Sequence, residues 1–393
     1  MYEPSGRQFP YAAYLWPALA AASASDFAAS VAKQFVDLAV GSPDDDADRE
    51  PAWATPNAIA LDLQTVRLRD FTTAAEGVPT LLCTPFALHG SAMADLAPGH
   101  SLVAALRAAG LSRLFVTDWH TASAEMRYLG IDDYLADLNV LVDQLGSSVN
   151  LIGLCQGGWM ALLYAARFPA KVNKLVLAGA PIDIAAGRSG LSVVAESSPL
   201  AVFHELVKIG DGRVLGRSLL QFWGPELIGA DEAHQLLETP EPVGSHAFGK
   251  LEALFQTWYA WTVDLPGKFY LEIVEKLYKH NDLAGGRFVA LGQTIDLKQV
   301  RTPLYLLAAR DDEVVAPAQL FAAGHLLGTP ADSLQTALAP CRHIGLFIGK
   351  GALEDFWPRI AGWLFEPGSI VPHISEAEHV ASEPTEPGRQ TAG

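Results

Sequence analysis

Short, almost continuously apolar runs recur along this chain, separated by stretches with a different period. VPTLLCT (78–84), SRLFVTDW (112–119), VNLIGL (149–154), NKLVLAGA (173–180), TPLYLLAA (302–309) and SLQTALAP (333–340) are short enough for strands, and most have no polar alternation. That pattern belongs to strands covered on both faces. Between them, SLVAALRAAG (101–110), IDDYLADLNVLVDQLG (131–146) and WMALLYAARFP (159–169) place apolar residues three and four apart, the helical spacing. Buried strands alternating with helices predict the α/β class, a doubly wound and mostly parallel sheet.

The alternation stops between about Ala185 and Leu297, where the pattern is helical and rich in aromatics: Phe222, Trp223, Phe255, Trp258, Tyr259, Trp261, Phe269, Tyr270 and Tyr278. This predicts a helical cap inserted between two strands, with most of these rings forming the cap's own core and a few lining a substrate channel. The expected division is an N-terminal helical segment with an acidic linker (1–50), a core (51–184 and 298–365), the cap (185–297) and a disordered tail (366–393). Within the first part, 11–39 reads as helix broken at Pro17 and SPDDDADREP (42–51) as a solvated connector.

Composition narrows the class. Half of the 393 residues are hydrophobic and 18% are charged, ample material for a core. A net charge of -17 repels phosphate backbones and anionic lipid, so neither nucleic acid nor a polybasic membrane anchor is expected. No apolar run reaches the roughly 18 residues that predict a spanning helix. The first residues lack a basic leader, so no secretory signal is expected. Three cysteines (Cys83, Cys155, Cys341) suit a reducing compartment, and none has metal-ligand spacing. The expectation is a cytoplasmic protein without cofactor or metal.

The chemistry is concentrated at Gly153-Leu154-Cys155-Gln156-Gly157-Gly158, between a buried strand and a helix. This is the G-x-S-x-G nucleophile elbow with cysteine in place of serine. Glycines let the turn pass close to its neighbours, and the helix N-terminus favours a thiolate. The bland reading, a buried structural thiol, leaves both the glycines and the placement unexplained. In sheets carrying such an elbow, an acid and then a histidine follow after the last strands. His343, directly after the final strand, is the expected base. For the acid, Asp311, Asp312 and Glu313 are consecutive, and Asp183 is a further position. The oxyanion donors are expected at the backbone N–H of Gln156 and at Phe86 or Ala87, in the loop after the first buried strand. His89 either points into the site or is a loop histidine with no role, Cys341 is read as a bystander thiol, and the Asp118-Trp119 pair either shapes the pocket or, as is expected, is structural.

These residues resemble the polyhydroxyalkanoate synthase and intracellular polyhydroxyalkanoate depolymerase superfamily. The resemblance rests on the Cys-Gln-Gly-Gly elbow, YAARFPAKVNKLVLAGAPID, DLAPGHSLV, VTDW, FYLEIVEKLYKHNDLAGGRF, IDLKQVRTPLYLLAARDDEVVAP and HIGLFIGKGALEDFWPRIAGWL, spread over roughly residues 65 to 365. It implies an α/β-hydrolase fold with a helical cap, an acyl-cysteine intermediate, and Asp312 as the acid beside Cys155 and His343. The implied partners are polyhydroxyalkanoate polymer or oligomers, or hydroxyacyl-CoA, with the granule surface as a further contact. The elbow and DLAPGHSLV are similar to synthases. Against this, Glu313 stands where synthases carry histidine, Arg342 where they carry glycine, and PFALHGSAM where they carry an asparagine-containing loop. These departures cluster at the catalytic loops, and on them the expectation is hydrolysis, a depolymerase-type enzyme. The alternatives are a synthase polymerising 3-hydroxyacyl-CoA and a non-catalytic granule- or partner-binding protein, which would need no intact Cys155, Asp312 and His343.

Overall fold

A computed structural model describes residues 50–146, 148–223 and 230–365. The helices expected over 11–39, nearly all of the acidic connector and the tail lie outside these residues. The described chain builds one eight-stranded sheet: β1 (Ala58–Asp62), β2 (Val66–Asp70), β3 (Thr80–Cys83), β4 (Leu114–Trp119), β5 (Val149–Leu154), β6 (Val172–Ala178), β7 (Leu304–Ala309) and β8 (Leu334–Ala339). Their order is β1-β2-β4-β3-β5-β6-β7-β8. β2 runs antiparallel to both its neighbours, and every pairing from β4 to β8 is parallel. This is the α/β-hydrolase fold.

The apolar runs are continuous because both faces of the sheet are covered. Successive residues of a strand point to opposite faces. Leu81, Leu151 and Leu175 join the core on one side, while their neighbours Leu82, Ile152 and Val176 join the core on the other. The first side is covered by α2 (Ile131–Leu145), through Tyr134, Leu138 and Leu141, and by α3 (Gln156–Arg167). The second is covered by α1 (Leu102–Ala108) and the C-terminal helix Trp357–Phe365.

The six predicted strands are all present. The β1–β2 hairpin was not foreseen. Its sequences AIALD and VRLRD are short and charged, and β1 is largely exposed at the sheet edge. Charge there suits an edge, where it discourages pairing with another chain. What secures the hairpin is distant in sequence: Arg69 Nε donates to Asp118 on β4 at 2.7 Å.

Between β6 and β7 the chain runs through α4 (Gly190–Ser197), α5 (Leu200–Ile209), α6 (Gly216–Trp223), α7 (Ala230–Leu237), α8 (His246–Ala260) and α9 (Gly267–Glu272), which continues into a π-helical turn, Ile273–Lys279. Its aromatic rings are not simply a private core. Phe269 packs on Phe86 and Tyr134, at centroid distances of 5.3 and 4.6 Å, and Trp258 and Tyr259 pack on His89. The insertion is thus anchored on the sheet's own loops by the residues expected to fill its interior.

Candidate active site

β5 ends at Leu154, and α3 begins two residues later with no intervening loop, three residues earlier than the periodicity suggested. Cys155 alone makes the reversal, at φ 48° and ψ -119°, a conformation that costs a non-glycine residue of order 1–3 kcal/mol. The surroundings hold it there. Its N–H donates to Ala178 O at 2.9 Å, and its carbonyl accepts from Gly158 N–H at 2.9 Å. A Cβ on Gly157 would stand 2.1 Å from the Cys83 carbonyl, and one on Gly158 would stand 2.2 Å from the Ala180 side chain. The elbow is therefore pressed against the end of β3, beside the loop that carries Phe86 and Ala87. Strain of this kind, fixed by close packing, lifts the sulfur out of the sheet at a helix N-terminus.

The ends of β7 and β8 supply the next two groups. Asp312 Oδ1 accepts the backbone N–H groups of Val314 and Val315, at 2.9 and 2.8 Å, which aims Oδ2 at Nδ1 of His343, 2.8 Å away. Both side chains are buried. Nε2 of His343 is also buried, and among the described residues it meets no partner in ordinary hydrogen-bond geometry. Burial opposes the charged ring, but the negative charges of Asp312 and Cys155 outweigh it and hold the His343 pKa well above its usual value. The arrangement brings Cys155, His343 and Asp312 into one cluster. A sulfur, an imidazole beside it and a carboxylate fixing the ring's tautomer form the set that acyl transfer through a thioester requires.

The remaining expected residues divide. Gln156 is buried at the start of α3, and its side chain is part of a relay: Trp159 Nε1 donates to its Oε1 at 2.6 Å, and its Nε2 donates to the Tyr278 hydroxyl. Phe86 buries its ring against Trp119, Tyr134 and Phe269. Ala87 and His89 form a tight turn closed by His89 N–H to Ala87 O at 2.7 Å, with Leu88 at φ 57° between them. His89 is a wedge: its ring lies 4.7 Å from both Trp258 and Tyr259, and burial lowers its pKa to about 4. Asp183 caps its own turn and accepts from Asn281 Nδ2 at 2.7 Å, with no hydrogen bond to His343 among the described residues. Cys341 is buried, with its pKa pushed up to about 12, unsuited to serve as a nucleophile. Trp119 donates from Nε1 to Thr84 O at 2.9 Å and so pins the end of β3.

Sequence reasoning missed two features. Tyr278, one aromatic among many in a helical run, reaches the elbow only through tertiary contact. Glu313 and Arg342 were read as separate departures, yet they pair at 3.0 Å, and Glu313 also accepts the His343 backbone N–H at 3.4 Å. Arg342 continues to Glu232 on α7 at 3.0 Å. The acid loop, the base loop and the insertion are thereby tied together. No periodicity could signal a pair separated by a strand and its connections.

Comparison with known proteins extends the geometry. Residues 111–198 match the family model described as alpha/beta hydrolase fold, and residues 244–366 match the one described as PHB de-polymerase C-terminus. The poly(3-hydroxyalkanoate) polymerase subunit PhaC of Synechocystis sp. is 30% identical over 286 residues, which span 70% of this chain and 74% of that protein. The chain belongs to the PhaC polymerase family. The PhaC subunit of Allochromatium vinosum is 28% identical over 302 residues (75% of this chain, 82% of that protein), and that of Thiocystis violacea is 27% identical over 283 (70% and 77%).

Membership of the PhaC family overturns the expectation of a depolymerase-type hydrolase. The depolymerase description attaches to residues 244–366 alone, whereas the PhaC polymerase subunits match over most of the chain. The expectation had rested on Glu313, Arg342 and the PFALHGSAM loop as three separate signs of different chemistry. Glu313 and Arg342, bonded to each other, form one ion pair beside Asp312 and His343, whose own hydrogen bond is intact at 2.8 Å. This chain is an α/β-hydrolase-fold enzyme related to polyhydroxyalkanoate synthases, which are acyltransferases. No helix among its described residues is long and apolar enough to cross a membrane.

Proposed function

We propose that this protein polymerises 3-hydroxyacyl-CoA into polyhydroxyalkanoate, with Cys155 as nucleophile, His343 as base and Asp312 as the acid that orients it. The observation that carries this reading is the 30% identity to a polymerase subunit over 286 residues. The cluster of Cys155, His343 and Asp312 supports it. Cys155 sulfur attacks the thioester carbonyl, the backbone N–H groups of Gln156 and of Phe86 or Ala87 stabilise the oxyanion, and CoA leaves with a proton from His343. The 3-hydroxyl of a second 3-hydroxyacyl-CoA then gives its proton to His343 and attacks the acyl-Cys155. One ester bond forms, the sulfur leaves, and the lengthened acyl-CoA returns to Cys155 for another round. Each ester bond made releases one CoA.

Synthesis in place of hydrolysis requires that water not compete for the acyl-cysteine. His343 at 5% exposure and Gln156 at 9%, under an insertion we assign as a cap, fit that requirement. The test is to incubate the purified protein with 3-hydroxybutyryl-CoA, follow CoA release and size the products. Release accompanied by polymer, and absent in Cys155→Ala, is expected. Release with free 3-hydroxybutyrate as the sole product would contradict the reading.

A further inference from the structure

When the hydrogen bonds around the elbow are assigned, two polar groups are left over. Nε2 of His343 is one, and the reaction above uses it. The other is the hydroxyl proton of Tyr278. The direction of the relay determines this. An indole nitrogen only donates, so Trp159 Nε1, 2.6 Å from Gln156 Oε1, fixes which end of the amide is the carbonyl. The amide NH₂ of Gln156 must then face Tyr278, and the Tyr278 oxygen accepts from it. Its own proton remains, and among the described residues no acceptor takes it.

Tyr278 is well placed to use that proton. It is bonded to the residue that follows the nucleophile, on a π-helical turn, an irregularity often found at functional sites. Burial raises its pKa and outweighs the lowering effect of the Gln156 bond, with Cys155 adding to the rise, so the phenol stays protonated and lies within electrostatic reach of the sulfur. Tyr278 is half-buried, and a donor drawn away from water without an acceptor is costly. The missing acceptor is most economically an atom of the group that Cys155 carries. The carbonyl oxygen of that group belongs to the backbone donors, while the next oxygen in a 3-hydroxyacyl group lies two carbons further along.

We propose that Tyr278 donates its hydroxyl proton to the 3-oxygen of the acyl group on Cys155, and so selects 3-hydroxyacyl over unsubstituted acyl substrates. The identity of the substrate rests on the polymerase reading; the orientation of the donor does not. A site built around such a donor rejects an analogue that leaves it unpaired. A free 3-hydroxyl and the ester oxygen of a growing chain can both accept, so the contact persists as the chain lengthens.

The experiment is single-turnover acylation of Cys155, read as the burst of CoA from 3-hydroxybutyryl-CoA and from butyryl-CoA. It compares wild type with Tyr278→Phe, which keeps the ring and removes one oxygen. Wild type is expected to favour the hydroxylated substrate by about 10- to 100-fold, the scale of one unpaired buried hydroxyl. Tyr278→Phe should bring that ratio close to one, chiefly by slowing the hydroxylated substrate. An unchanged ratio, or an equal fall on both substrates, overturns the inference and leaves the polymerase reading standing. Failure of wild type to acylate Cys155 from either substrate overturns both.

Discussion

The carboxylate of Asp312 divides its two oxygens between two tasks. Oδ1 is held by the N–H groups of Val314 and Val315, and Oδ2 holds the imidazole of His343. An Asp312→Asn substitution can keep the first set of bonds through its amide oxygen but presents NH₂ to Nδ1, forcing the opposite tautomer and removing the charge that sustains the imidazolium. We expect kcat for CoA release to fall by about 10⁴-fold, as when the same change is made in a serine triad. The melting temperature should move little. A fall below about 10-fold would remove Asp312 from the mechanism. At this scale, the placement of Cys155 and His343 was legible because the first follows β5 directly and the second closely follows β8, so the chain path brings them to one edge of the sheet. Asp312 needed family resemblance to be chosen from three consecutive acids. Its neighbours are now separable: Glu313 pairs with Arg342, and Asp311 with Arg310 at 3.5 Å.

Among the elements, the contact between the β3 loop and α8 organises the side on which we place the oxyanion donors. Leu88 O accepts from Val263 N–H at 2.9 Å, Gly90 O accepts from Trp258 Nε1 at 3.1 Å, and the His89 ring is wedged against Trp258 and Tyr259. His89 is neutral in the folded protein because burial lowers its pKa from 6.5 to about 4. As the pH falls, the unfolded chain takes up this proton first. The stability that depends on neutral His89 is therefore complete above about pH 6.5 and lost between there and about pH 4. At about 1.4 kcal/mol per pH unit, wild type should lose about 3 kcal/mol more than His89→Phe between pH 7 and pH 4 in urea unfolding. Parallel losses would show that His89 is not the buried neutral wedge described here. The strands of the central sheet could be read from hydrophobic continuity. The β1–β2 hairpin could not, since its partners are the charged side chains of another strand, and neither could the anchoring of the insertion through Phe269, Trp258 and Tyr259.

On the scale of the whole molecule, one sheet gathers the ends of β5, β7 and β8 so that groups nearly 190 residues apart in sequence meet at a single sulfur. The same fold serves hydrolysis and acyl transfer alike, which is why motifs at the loop ends could place the chemistry without giving its direction. In the mechanism proposed here, direction depends on what reaches the acyl-cysteine, and the insertion assigned as a cap would decide that by how closely it covers His343 and Gln156. The most direct test is the intact mass of the protein quenched in acid during turnover of 3-hydroxybutyryl-CoA, with the Cys155 peptide then mapped. If Cys155 carries a growing chain, the spectrum shows a ladder of added hydroxybutyryl units on that peptide, absent in Cys155→Ala. A single unit that never lengthens while free acid accumulates, or a ladder that survives in Cys155→Ala, would contradict the account.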